Sequence, residues 1–159
     1  MFPKIACLLT ALLMLSGCAA LSPYSNQTRL ELTLSGNDLL NPDLNGRPSP
    51  IVVRLLELKS PVAFETHDFF SLYERGKESL NQDLVASEEL ELRPGDKIDL
   101  KLRVEPGSRY VGVLAAYRDL PETRWRYVIA MAPAALTQAQ VSLSDDGIHR
   151  VDALTGVEN

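Results

Sequence analysis

The chain has 159 residues, 45% of them hydrophobic, and a formal net charge of −5 at pH 7 from 16 Lys and Arg against 21 Asp and Glu. That length fits one domain able to close its own core, and an acidic chain without basic clusters excludes nucleic acid as a partner. The two cysteines, Cys7 and Cys18, both lie near the N-terminus, so the rest of the chain has no thiol for a disulfide, a metal or covalent catalysis.

Lys4 is followed by the apolar run IACLLTALLML, too short to cross a bilayer and flanked as a secretory signal is. It ends in LSGC, where the small residues Ser16 and Gly17 precede Cys18. This pattern resembles the lipobox of bacterial lipoproteins. The resemblance implies removal of residues 1–17 and a diacylglyceryl group on the Cys18 thiol, with a further fatty acyl group such as palmitate on the freed amine. One acyl chain is a marginal anchor at roughly 0.8 kcal/mol per buried CH₂, whereas several together hold effectively permanently. Cys18 is therefore an anchor and not a nucleophile. Ala19, where an Asp would retain the protein at the inner membrane, implies by the same resemblance sorting to the outer membrane.

Residues 18–28 are small, polar and Pro-containing, which suits a lipidated tether without fixed structure. A domain over 29–159 follows. RLELTLS alternates Leu30, Leu32 and Leu34 with Arg29, Glu31 and Thr33, the period of a half-buried strand. GNDLLNPDLNGRPSP is a long loop by its density of Gly, Asn, Asp and Pro. IVVRLLEL is apolar on both faces except at Arg54 and Glu57, which predicts a central strand covered on both sides. KSPVAFETHDFFSLYERG changes period and predicts one or two short helices. Ser60 is a candidate N-cap before Pro61, and Phe69, Phe70, Leu72 and Tyr73 fall at helical spacing before Gly76.

DLVASEELEL and KIDLKLRV resume alternation around RPGD, which predicts a hairpin with one wet face. After EPGS, RYVGVLAAY is again apolar on both faces, and its Gly112 predicts something packed close against that position. RDLPETR breaks the pattern; WRYVIAM, AQVSL and IHRV restore it, the last two joined by the turn SDDG. The sum is a mainly β chain of about eight strands with a helical insertion, hence a two-sheet β-sandwich.

Chemistry is sparse. His67 and His149 stand outside any metal-ligand spacing and read as structural. Gly-rich phosphate loops, G-x-S-x-G and H-E-x-x-H do not occur, so no enzymatic motif and no cofactor is indicated. Glu88, Glu89 and Glu91 read as a solvated strand face, with Glu89 and Glu91 opposite Leu90 and Leu92. Trp125, between Arg124 and Arg126 and near Asp119 and Glu122, is either an aromatic platform for a ligand or the start of a core strand, and its alternation with Tyr127 and Ile129 favours the strand. Arg118 and Asp119 in the same loop are open to a partner. The loop from Gly36 to Pro50 exceeds the roughly 12 residues beyond which connections are usually functional. Its Leu39, Leu40 and Leu44 either tuck beneath it or project toward a partner.

The lipobox LSGC, the segment GRPSPIVVRLLELKS after a loop containing LNPDLNG, FETHDFFSLYE and YVGVLAAYRDLPETRWR, taken in that order, resemble the TssJ lipoproteins of bacterial type VI secretion systems. The resemblance spans essentially the whole mature chain. It implies a transthyretin-like sandwich of two four-stranded sheets with a helical addition, held at the outer membrane and facing the periplasm. The implied role is assembly without catalysis: joining the secretion membrane complex to the outer membrane by binding the C-terminal periplasmic region of the inner-membrane protein TssM. In the family the loop between the first two strands contributes to partner binding. The matching segment is residues 37–49, with Asn41, Pro42, Asp43, Leu44, Asn45 and Arg47 as candidate contacts, Leu44 the leading apolar anchor and Arg47 the leading charged contact. Arg118 and Asp119 are a possible second contact. A lipoprotein that binds a small ligand or glycan through its loops is the main rival reading, and exposed loop aromatics would favour it; an envelope hydrolase would need a convergent carboxylate or Ser/His set.

Overall fold

Leu30, Leu32 and Leu34 are buried and Thr33 and Glu31 are not, because the strand that carries them has one face on the core. The computed structural model describes residues 26–151; the expected signal peptide, Cys18 and most of the expected tether lie outside the described residues. That first strand is β1 (Arg29–Gly36), followed by β2 (Ile51–Leu58), the short helices α1 (Val62–Thr66), α2 (Phe69–Glu74) and α3 (Gly76–Leu80), then β3 (Leu84–Leu92), β4 (Lys97–Arg103), β5 (Tyr110–Ala115), β6 (Arg126–Ala130), β7 (Leu136–Leu143) and β8 (Ile148–Arg150). Two four-stranded sheets result, ordered β4-β1-β7-β8 and β3-β2-β5-β6. Every pair is antiparallel except β1 with β7, which run parallel.

The inner faces make the main core. Leu30, Leu32 and Leu34 stand opposite Leu102, Leu100 and Ile98 in one sheet and meet Ile51, Val53, Val111 and Val113 of the other. As expected for a doubly covered strand, β2 also buries its outer face: Leu56 and Leu58 pack with Phe64, Phe69, Leu72, Leu80 and Leu114 beneath the helices. Its two charges have specific employment. Arg54 pairs with Glu89 at 2.6 Å and lies 4.0 Å over the Tyr73 ring, and Glu57 accepts from the Glu105 N–H at 2.9 Å and the Ser108 hydroxyl at 3.0 Å. The close approach read from Gly112 is the Phe64 ring: a Cβ there would lie 2.9 Å from Cζ.

Four expectations change. The runs flanking RPGD are not a hairpin; β3 pairs with β2 and β4 with β1, so the turn carries the chain from one sheet to the other. Both arrangements bury the same alternate residues, which is why periodicity did not separate them. The turn is pinned to β1 instead, with Gly36 N–H donating to Asp96 O at 2.8 Å and Gly95 N–H to Gly36 O at 2.9 Å. The insertion has three short helices, and Gly76 begins the third instead of ending the second. Ser60 stands one residue before the cap position of α1, occupied by Pro61, and its hydroxyl is 3.4 Å from the Val62 amide; the side-chain cap belongs to Asp68, which accepts from Ser71 N–H at 3.0 Å. The end of the segment expected to lack fixed structure is also held, since Thr28 O accepts from Val104 N–H and Thr28 Oγ1 from Ala134 N–H.

Candidate functional site

β1 starts at Arg29, just after Thr28 and beside the Glu105–Ser108 turn, and ends at Gly36, so the N-terminal segment enters at one end of the sandwich and the 37–50 loop leaves at the other. An eight-residue strand separates the two by about 26 Å. The RPGD turn, the Tyr117–Thr123 segment and the Ser144–Gly147 turn gather at the same loop end.

The long loop is ordered by its own polar groups. Asn37 N–H donates to Leu143 O at 2.8 Å, and its side chain accepts from Leu39 N–H at 3.0 Å. Leu40 tucks fully into the core, whereas Leu39 and Leu44 project, so the loop does both of the things its leucines allowed. Asn41 is 4% exposed with φ +45, a left-handed conformation that Asn tolerates. Its amide nitrogen donates to Pro50 O at 3.0 Å and its amide oxygen accepts from Arg118 N–H at 2.9 Å. Asn41 therefore ties the two loops together and is itself withdrawn from the surface. Asp43 braces the tip: its carboxylate accepts from Asn45 N–H at 2.8 Å, Arg47 N–H at 3.0 Å and Arg47 Nε at 2.9 Å. The Arg47 amide chiefly, with the Asn45 amide, the Arg47 guanidinium and the charge of Arg118, holds the Asp43 carboxyl below the usual carboxylate range against the opposing effect of desolvation, which is second only to the Arg47 amide. Leu44, between these anchors, is fully exposed.

Between this loop and the Tyr117–Thr123 segment lies a groove of ≈ 480 Å³. Asn41, Pro42, Asp43 and Leu44 form one wall; Arg118, Asp119, Glu122 and Thr123, with Asp145, form the other. Both sets of residues singled out in the sequence thus meet in one place, except that Asn45 and Arg47 stand outside the groove lining. Tyr117 also lines it, 4% exposed, and its buried hydroxyl, beside the Ser144 backbone, makes no hydrogen bond of normal geometry. Burial, with the negative charges of Asp146 and Asp145, pushes that hydroxyl's pKa up. The β7–β8 turn is fixed against the groove segment: Arg124 N–H donates to Asp146 O at 3.0 Å and Ile148 N–H to Arg124 O at 2.8 Å. Gly147 is needed there, since its φ is +127 and a Cβ would fall 2.4 Å from Arg124 N. The Ser144 hydroxyl, and then His149 at 2.7 Å, hold the Asp146 carboxyl below its ordinary range.

Tyr117 and Asp145 escaped the sequence reading as groove residues. Tyr117 ends an apolar run and Asp145 sits in a turn signal; only the topology brings that turn beside the 117–123 segment.

The remaining candidates have local partners. Trp125 meets Phe69 edge-on at 5.4 Å, as its place before a core strand predicts, and Arg126 lies 4.5 Å over the Trp125 ring while donating to Phe64 O and His67 O. The arginine thus ties β6 to the carbonyls of α1 and its C-terminal cap. His67 Nδ1 lies 2.8 Å from Ala63 O, and Glu91 pairs with Arg93 at 3.0 Å. No group of three or more His, Cys, Asp or Glu able to hold a metal ion occurs among the described residues, and no helix among them is long and apolar enough to cross a membrane.

Residues 28–146 match the family model T6SS-SciN, described as type VI secretion lipoprotein, VasD, EvfM, TssJ. The T6SS lipoprotein TssJ1 from Pseudomonas aeruginosa is 33% identical, with a TM-score of 0.76 over 79% of this chain and 95% of that one. Serratia marcescens Lip, described as a membrane-bound component of the type VI secretion system, is 26% identical, with a TM-score of 0.73 over 79% of this chain and 98% of that one. A chain in the structure described as the T6SS protein TssM C-terminal domain from EAEC shares the fold at 21% identity, with a TM-score of 0.66 over 79% of this chain and 99% of that one. No curated protein matches. With a sandwich of two four-stranded sheets and a family match over most of its length, the chain belongs to the TssJ family of type VI secretion lipoproteins.

Proposed function

We propose that this protein is the outer-membrane connector of a type VI secretion membrane complex. Residues 1–17 are removed, Cys18 carries the lipid anchor, residues 18–28 are the tether, and the domain from Arg29 onward faces the periplasm. Its loop end binds the C-terminal periplasmic region of TssM, with Leu44 as apolar anchor and Pro42, Asp43, Asn45, Arg47, Arg118 and Asp119 around it. Asn41 serves by holding the two loops in register.

The observation that carries this reading is the opposition of the two ends. The tether joins where Thr28 is bonded to Val104 and Ala134, and the fully exposed Leu44 stands on a braced loop about 26 Å away. A domain hung from a membrane by the first end presents the second to whatever approaches from the periplasm. An exposed apolar residue on a rigid support, rimmed by polar groups, matches the apolar centre and polar rim of a protein interface. The rival small-ligand reading wants exposed loop aromatics, and the groove's aromatic residue, Tyr117, is buried. Assembly calls for no catalytic residue, in keeping with a family of structural lipoproteins.

Cross-linking in intact envelopes tests the role, comparing wild type with a variant whose residues 41–47 are replaced by Gly and Ser. Recovery of TssM with wild type alone is expected. Equal recovery from both would move the site, and recovery from neither would refute the connector role.

A further inference from the structure

We infer that the groove at the loop end receives a basic side chain, Arg or Lys, presented by the protein partner. The inference rests on the connector reading and names the chemistry of what its site takes in.

The two walls differ in charge. Asp43, on the first, is already neutralised by Arg47 at 2.9 Å. On the second, Asp119, Glu122 and Asp145 line the groove, and none of the three has a Lys, Arg or His nitrogen within 4.0 Å among the described residues. Three uncompensated carboxylates against the single Arg118 leave the concavity negative, and low-dielectric walls focus such a field on arriving cations.

A second observation points the same way. Tyr117 lines the groove, is more than nine-tenths buried, and its hydroxyl, beside the Ser144 backbone, makes no hydrogen bond of normal geometry. Buried polar groups in folded proteins are nearly always satisfied, so a phenol oxygen left without a well-formed hydrogen bond behind an acidic wall is a deficit that an N–H donor entering the groove reduces.

The shape selects an organic cation over a metal ion. The carboxylates are not grouped closely enough to close on one metal. A guanidinium or ammonium group on a flexible stem reaches separated acceptors while its methylenes lie along Pro42 and the exposed Leu44. The acidic wall and the apolar anchor then read one feature of the partner together: a basic residue beside an apolar one.

The full chain, isotopically labelled in non-ionic detergent, is titrated with acetyl-Arg-Leu-Arg-amide and, in parallel, with acetyl-Glu-Leu-Glu-amide. Amide shifts are expected at 41–44, 117–123 and 144–147 with the basic peptide only, and are lost in the triple variant D119N/E122Q/D145N. Absent shifts, equal shifts with the acidic peptide, or shifts unchanged in the variant overturn the inference. The same variant is then measured against the periplasmic domain of the cognate TssM. An affinity about tenfold lower, as three partly exposed charge pairs would give, with a shallower salt dependence, supports the inference. An affinity and salt slope equal to wild type overturn it and leave the connector role standing. Binding of the basic peptide without binding of TssM refutes the connector role and leaves the cation site in place.

Discussion

The side-chain oxygen of Asn41 accepts a hydrogen bond from the backbone N–H of Arg118 at 2.9 Å, joining two loops 77 residues apart in sequence. The same amide donates to Pro50 O at 3.0 Å, so one buried side chain fixes both the base of the long loop and the opposite wall of the groove. Asn41→Ala removes both bonds, leaves the Arg118 amide and a carbonyl without partners, and puts a less tolerant residue at positive φ. A loss of about 2 to 4 kcal/mol is expected, read as a fall in melting temperature on the order of 10 °C.

Leu44 is the counterpart on which stability does not depend. Fully exposed, it supports nothing within the domain, so Leu44→Asp should leave unfolding within about 0.5 kcal/mol of wild type. Its affinity for the TssM periplasmic domain should fall by tenfold or more, as for a residue at the centre of an interface. Denaturant unfolding and calorimetry on one preparation measure both.

Gly112 and Phe64 form a size-matched pair between β5 and α1. A Cβ at position 112 would lie 2.9 Å from the fully buried Phe64 ring, so Gly112→Ala should cost about 1 to 3 kcal/mol through overpacking. Gly112→Ala combined with Phe64→Leu should recover part of the loss, a coupling that a double-mutant cycle detects.

The Asp43 brace makes the loop tip acid-sensitive. Because hydrogen bonds from the Arg47 and Asn45 amides depress its folded pKa below the ordinary 3.8, its contribution is fully present above pH 3.8 and is lost as pH falls through the lower, folded value. The Asn45 and Arg47 amide resonances should therefore hold steady from neutral pH to about 4 and shift only below it. In Asp43→Asn those shifts should disappear.

Much of this was legible in the sequence because alternation reports burial directly. Leu30, Leu32 and Leu34 gave one face of β1, the doubly apolar IVVRLLEL gave a strand covered on both sides, and Gly112 announced a close neighbour, which is Phe64. Alternation says which residues face inward and not which strand they pair with, so the crossing at RPGD read as a hairpin. The groove was half visible for a related reason. The 37–50 loop stood out by length, and Arg118 and Asp119 by charge in a loop, but Asp145 and Tyr117 join them only through the pairing of β7 with β8 and the bridge from Arg124 to Gly147. No local signal encodes that neighbourhood.

The opposition of tether end and loop end is tested most directly by photo-cross-linking in intact envelopes, with a photoreactive residue placed at position 44 or at the exposed position 105 beside the tether. A cross-link to TssM from position 44 and none from position 105 is the expected result. A cross-link from position 105 and none from position 44 would contradict the proposed orientation and with it the connector surface.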